Sequence, residues 1–172
     1  MLKRLIHSLS NLSGLRTIVV IIAIVFAVAV YQQRDMVKGV APSICSELIS
    51  GEFFNTEKAL MQGPVLVYFW GSWCPVCSLV SPSVDSVAED YTVLSVALSS
   101  GSDDDISLYL KKHGYQFKTL NDQHGIYAQQ WGVKVTPSIF IIDQRGNIVF
   151  VTTGVSTSWG LKLRLWLAGL GV

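Results

Sequence analysis

Apolar runs and helix-spaced apolar positions alternate along residues 65–168. Val65-Leu66-Val67-Tyr68-Phe69-Trp70 is continuous and apolar, the mark of a strand buried on both faces. From 74 to 90 the period becomes helical, with Val80, Val84, Val87 and Tyr91 on one face. Pro82 lies inside that helix and is expected to kink it by removing one backbone hydrogen bond. Thr92 to Leu98 reads as the next strand. Ser102 or Asp103 then caps a helix reaching about His113, with acids on its first turn, Lys111-Lys112 on its last, and Gly114 as its stop. A short strand near 116–120 and a helix near 123–130 follow. Ser138–Ile142 and Ile148–Thr152 flank Asp143-Gln144-Arg145-Gly146-Asn147, the pattern of a hairpin. A last helix over about 158–168 carries Leu161, Leu165 and Ala168 on one face, with Leu163, Trp166 and Leu170 beside it. Strands separated by helices, then a hairpin, then a helix, predict an α/β domain: a central mixed sheet flanked by helices.

The remaining hydropathy lies upstream. At 172 residues the chain has room for one domain and an appendage, and its mean hydropathy of +0.43 is high for a soluble domain. The excess comes from Thr17 to Tyr31 (TIVVIIAIVFAVAVY), an uncharged run preceded by Lys3, Arg4, His7 and Arg16. A spanning helix uses ~20 apolar residues, with ~17 near the lower limit, and Leu15 with a snorkelling Arg16 extends this one. The reading is a transmembrane signal-anchor over 17–31, behind a cytoplasmic basic lead-in (1–16) and ahead of a linker (32–44) and a folded domain (45–172). A cleaved signal peptide is the rival, since Ala27-Val28-Ala29 has the small-x-small pattern. Both readings export the domain. The basic residues before the run keep the N-terminus in the cytoplasm, although Arg34 and Lys38 dilute the bias. A net charge of +1 gives no field that calls for nucleic acid or an acidic partner.

Candidate chemistry sits where the first strand meets its helix. Cys74-Pro75-Val76-Cys77 follows a Gly71-Ser72 turn and opens the helix, the local arrangement of a dithiol redox site. There, unpaired N–H groups and the helix dipole favour an anion, which lowers the Cys74 pKa from about 8.5 into the ~3.5–7.5 range of activated thiols. Pro75 suits the first helical turn, where its missing N–H would be unpaired anyway. Three cysteines do not make a disulfide scaffold. Cys45 reads as a free or partly buried thiol, with a resolving or intermolecular role as the alternative. Structural zinc wants four ligands, and Cys45, His7, His113 and His124 offer no paired spacing for it. Two thiolates also suit Cu(I), so a metal-carrying module stands beside the redox reading. Trp159 and Trp166 read as packing or edge residues, Asp103-Asp104-Asp105 as a solvated helix start, and His113 and His124 as surface groups.

FWGSWCPVC (69–77), the helix proline Pro82 and VTPSIFIID (135–143) with its Gly146 turn occur in that order. With them the chain resembles the thioredoxin superfamily over about residues 47–170, most of all its membrane-tethered TlpA/ResA/DsbE-like branch. The segment between Leu98 and Trp131 resembles that branch's extra helix and strand. Cys-Pro-Val-Cys with an N-terminal anchor is similar to the suppressor-of-copper-sensitivity D-type protein disulfide oxidoreductases. The resemblance implies a thioredoxin-like fold and thiol–disulfide exchange with no cofactor and no metal. It implies Cys74 as attacking thiol, Cys77 as resolving thiol, and a redox-active Cys74–Cys77 disulfide. It makes Thr136-Pro137 a cis-peptide loop facing the dithiol that pairs with extended client segments, and Trp73 the aromatic residue beside the site. Thioredoxins carry a buried aspartate where this chain has Tyr68, so water or another group must take the resolving thiol's proton, or that step is slower. The branch is mostly reducing, which implies a reductase facing the periplasm from the bacterial inner membrane. Its partners would be protein thiol or disulfide clients and a transmembrane dithiol electron donor of the DsbD type. An oxidase or isomerase of the same fold is the alternative, since known potentials span about −270 to −120 mV and the Pro-Val dipeptide selects none.

Overall fold

A computed structural model of the chain describes residues 16–21, 23–24, 27–28, 31, 34 and 36–171. The basic lead-in before Arg16 and several positions of the expected anchor lie outside the described residues. Those of 16–31 that are described are helical, with exposed side chains such as Ile18, Ile21 and Ile24. Among the described residues, no helix is long and apolar enough to cross a membrane.

The remainder forms one folded unit beginning at Asp35. In chain order it contains β1 (Gly39–Val40), β2 (Cys45–Glu47), β3 (Phe53–Asn55), α1 (Thr56–Leu60), β4 (Val65–Trp70) and α2 (Pro75–Ala88). Then come β5 (Thr92–Leu98), α3 (Asp103–His113), β6 (Lys118–Asp122), α4 (Ile126–Gln130), β7 (Ser138–Ile142), β8 (Asn147–Thr153) and α5 (Ser158–Gly169). Six strands make one sheet in the order β1-β8-β7-β4-β5-β6, while β2 and β3 form a separate hairpin. Strand β4 pairs parallel with β5, and β5 with β6, whereas the β4–β7, β7–β8 and β8–β1 pairings are antiparallel. The sheet is therefore mixed, as the alternation of elements predicts.

Strand β4 is the spine, because every one of its side chains is buried. Successive side chains of a strand point to opposite faces. Leu66, Tyr68 and Trp70 enter a core with Val80 and Val84 of α2, Ile106 of α3, and Leu161 and Leu165 of α5. Val65, Val67 and Phe69 enter a second core with Ile44, Leu48, Leu60, Ala128 and Trp131. A continuous apolar run in place of an alternating one is the sequence's record of these two layers.

Several expectations shift in detail. Residues 36–44 belong to the fold: Met36 and Ile44 are buried, and β1 pairs Gly39 with Ile148. Ser102 is the cap of α3, with Asp105 returning a bond to the Ser102 backbone, and Gly114 ends the helix at φ 73°. Hydrogen bonding to Ser102 holds the Asp105 carboxyl below its ordinary pKa. Pro82 lies within α2 without ending it. Strand β6 begins two residues later than expected, because Gln116 and Phe117 give their N–H groups to the Asp85 carboxylate, at 2.6 and 3.1 Å. Of the packing and edge roles expected of Trp159 and Trp166, the edge role fits: they are 85% and 55% exposed on the outer face of α5.

Candidate active site

In open α/β sheets, chemistry gathers beyond the carboxyl ends of parallel strands. Here β4 and β5 end side by side, and the turn 71–74 is pinned to the end of β5. The Ser72 N–H donates to Ser100 Oγ at 3.0 Å, and Ser100 Oγ donates to the Leu98 carbonyl at 3.1 Å. Trp73 Nε1 donates to that same carbonyl at 3.0 Å, laying the indole over Gly71. A Cβ at position 71 would stand 2.6 Å from the Trp73 ring, so the close approach requires glycine there. The Trp73 side remains 57% exposed beside the dithiol.

Cys74 is the N-cap of α2, in an extended conformation at φ −95°, ψ 109°. It is disulfide-bonded to Cys77, with Cα atoms 5.3 Å apart. The Cys77 N–H donates to Cys74 Sγ at 3.2 Å, and Pro75 holds the first helical position. Cys77 is fully buried and Cys74 is 6% exposed, so Cys74 presents the reachable sulfur. The Thr136–Pro137 peptide is cis, as the resemblance implies, and the Thr136 carbonyl oxygen lies 3.7 Å from Cys74 Sγ. Gly154, just past β8, donates its N–H to the Pro137 carbonyl at 3.1 Å and braces that loop. The fold thus brings Trp73, Cys74, Cys77, Thr136 and Pro137 to one end of the sheet.

Behind Cys77 stands Tyr68. Its hydroxyl donates to the Cys77 carbonyl at 3.3 Å and shares a 3.1 Å hydrogen bond with Ser81 Oγ. Burial pushes the Tyr68 phenol far above its ordinary pKa, against a smaller lowering by Ser81. Cys45 stands apart on β2, exposed, with Asn55 Nδ2 donating to its sulfur at 3.2 Å. Residue-level reading missed the Ser100–Leu98 pin and the Ser81 partner of Tyr68. The first is foreshadowed by the parallel pairing of β4 with β5, which aligns the loops that follow them. The second follows from Ser81 lying one helical turn beyond Cys77.

This geometry makes a direct expectation. On reduction, the Cys74 sulfur keeps the Cys77 N–H and the helix terminus, both of which favour its thiolate. Cys74 will titrate below the free-thiol value of about 8.5, and Cys77, buried among apolar side chains, will not. Alkylation rates measured against pH on the reduced full-length protein check this, and two ordinary, equal midpoints would refute it.

Residues 37–151 match the sequence model of the AhpC/TSA family. The chain belongs to that family. This AhpC/TSA-family chain is 40% identical over 139 residues to a thioredoxin-like protein of Haemophilus influenzae, covering 80% of this chain and 83% of that one. It is 35% identical over 111 residues to the thiol:disulfide interchange protein DsbE homolog of Paracoccus denitrificans, covering 63% and 62%. Among solved structures, a thiol:disulfide interchange protein of Chlorobium tepidum superposes with a TM-score of 0.66 at 21% identity, over 78% of this chain and 98% of that one. StoA of Bacillus subtilis gives 0.63 at 22%, over 72% and 96%. Both are likenesses of fold. The AhpC/TSA-family chain has the thioredoxin-like architecture that FWGSWCPVC and VTPSIFIID announce.

Proposed function

We propose that this protein is an extracytoplasmic protein-disulfide reductase, working by dithiol–disulfide exchange at Cys74 and Cys77 from an inner-membrane anchor. The observation that carries the reading is a Cys74–Cys77 disulfide at the start of a helix, with the reachable sulfur facing a cis Thr136–Pro137 loop. Relatives named thiol:disulfide interchange proteins support the reaction class. In the reaction, the Cys74 thiolate attacks a client disulfide, forming a Cys74–client bond and expelling one client thiolate. Cys77 then attacks Cys74 Sγ, and the second client sulfur leaves with the electron pair. Two electrons pass from the dithiol to the client, and the Cys74–Cys77 disulfide remains to be reduced again. A transmembrane dithiol donor of the DsbD type would return those electrons. The anchor at 17–31 confines the search for that donor to the membrane plane.

The reducing direction is supported by how few groups stabilise the reduced form. A strong oxidant owes its potential to a stabilised thiolate. Here Pro75 removes one helix-terminal N–H, a single amide reaches Cys74 Sγ, and a carbonyl oxygen faces it. That arrangement favours the reducing end of the range. Equilibrating the full-length protein with glutathione buffers will give a potential near the thioredoxin value of about −270 mV. A value near −120 mV, about 7 kcal/mol away for two electrons, would make it an oxidant instead.

A further inference from the structure

Taking Cys77 as the resolving thiol, as proposed above, leaves a question of proton balance. In the mixed disulfide with a client, Cys77 must lose its S–H proton before it attacks. Among the described residues, the groups facing it are few and uncharged. From β4 comes Tyr68, and from α2 itself Ser81; both are fully buried. The two buried carboxylates among the described residues are engaged elsewhere. Asp122 accepts from the Tyr127 and Ala128 N–H groups, and Asp143 accepts from those of Arg145 and Asn147. Farther along α2, Asp85 is occupied by Gln116 and Phe117, and just past the end of that helix Asp90 is paired with Lys162 of α5. Arg164 of α5 donates to Thr152. From α3 and the segment after it come Tyr109 and Tyr115, whose phenols burial raises as it does that of Tyr68.

We infer that Tyr68, paired with Ser81, is a positioning residue for the resolving step: the two hydroxyls hold the Cys77 carbonyl in place and leave its thiol with no internal base. The Tyr68 donation supplies the Cys77 carbonyl with a second partner in the first turn of α2, which fixes the direction from which Cys77 Sγ approaches Cys74 Sγ. Tyr68 does not take the proton. The proton of Cys77 goes to solvent, the Cys77 thiolate forms the new bond to Cys74 Sγ, and the Cys74–client bond breaks. The client sulfur departs as a thiolate and is protonated from solvent. The rate of client release then follows the thiolate fraction of Cys77, rising tenfold per pH unit until Cys77 itself titrates. A neighbouring carboxylate would flatten that rise by acting as a general base.

The test uses the full-length reduced protein mixed with a peptide disulfide, with both steps followed by acid quench and alkylation from about pH 5 to pH 8. Client release from the wild type is expected to rise with a slope of one and no plateau. Tyr68→Phe keeps that slope and the rate of the first step but slows release about fivefold, the worth of one net hydrogen bond. Ser81→Ala acts in the same direction. Tyr68→Asp introduces a base and bends the profile into a plateau. A plateau in the wild type, or a Tyr68→Phe protein that releases client as fast as the wild type, overturns the inference. Slowing of both steps alike in Tyr68→Phe also overturns it, because that marks a general structural role. Failure of Cys74 to form any mixed disulfide overturns the exchange reading and this inference together.

Discussion

Full-length protein carrying Cys77→Ser will collect covalent, reductant-sensitive adducts with client proteins, and its turnover will fall by more than about a hundredfold. The geometry assigns the two sulfurs unequal access. Cys74 caps the helix and keeps some exposure, whereas Cys77 is fully enclosed by Tyr68, Val80 and the first turn of α2. Only Cys74 can meet a client, so removing Cys77 leaves the first bond-forming step intact. Release then depends on outside thiols. An intramolecular nucleophile acts with an effective molarity on the order of 10⁵ M or more when well oriented, and millimolar thiols replace it poorly. Electrophoresis without reductant, followed by mass spectrometry, reads the adducts; Cys74→Ser should show none. A Cys77→Ser protein that turns over normally, or a Cys74→Ser protein that traps clients equally well, would reverse the assignment. The same variant separates exchange from Cu(I) carriage, since a carrier that uses both sulfurs forms no client adducts.

Trp131→Ala will cost about 3–5 kcal/mol of stability, a large share of the ~5–15 kcal/mol that holds a domain together. Trp131 is fully buried between Phe69 and Phe140, with ring centroids at 5.6 and 5.0 Å. Its carbonyl also accepts the Val37 N–H at 3.3 Å, fastening the segment that leads into β1. Deleting the indole empties the centre of the second core, next to the chain that runs on to Thr136-Pro137. The indole N–H has no hydrogen-bond partner among the described residues. Trp131→Phe removes that buried donor together with some volume, so it will cost clearly less than the alanine change. Trp159→Ala, at an exposed position of α5, will stay within about 0.5 kcal/mol of the wild type. Urea midpoints of the three variants order these effects. An alanine variant at position 131 as stable as the one at 159 would mean that the second core is not cooperative with the rest.

Legibility tracked how much of each feature is local. The runs 65–70, 92–98 and 138–142 coincide with β4, β5 and β7 residue for residue, because strands buried on both faces are written in mostly apolar sequence, broken only by residues such as Ser95 and Ser138. Strands β1, β2 and β3, two or three residues each, carry no period to detect; β1 exists because β8 offers it an edge. Helix α4 starts at Ile126 and not at 123, since the Asp122 carboxylate accepts from its first turn and Gly125 adopts φ 70° ahead of it. The dithiol was legible because its two cysteines are adjacent in one motif. Its partner loop lies 62 residues away and came from resemblance, as no local signal links Thr136 to Cys74. Tyr68 was legible as a departure, but its meaning needed the third dimension, where Ser81 and the Cys77 carbonyl converge on one hydroxyl.

Met36 and β1 carry a consequence for the life of the molecule. Among the described residues of the folded unit, Met36 is the first side chain sealed into its interior, and β1 follows it, clipping Gly39 to Ile148. A chain trimmed past Met36 would therefore lose sealed core and an edge strand together, and would melt at a lower temperature than one that keeps them.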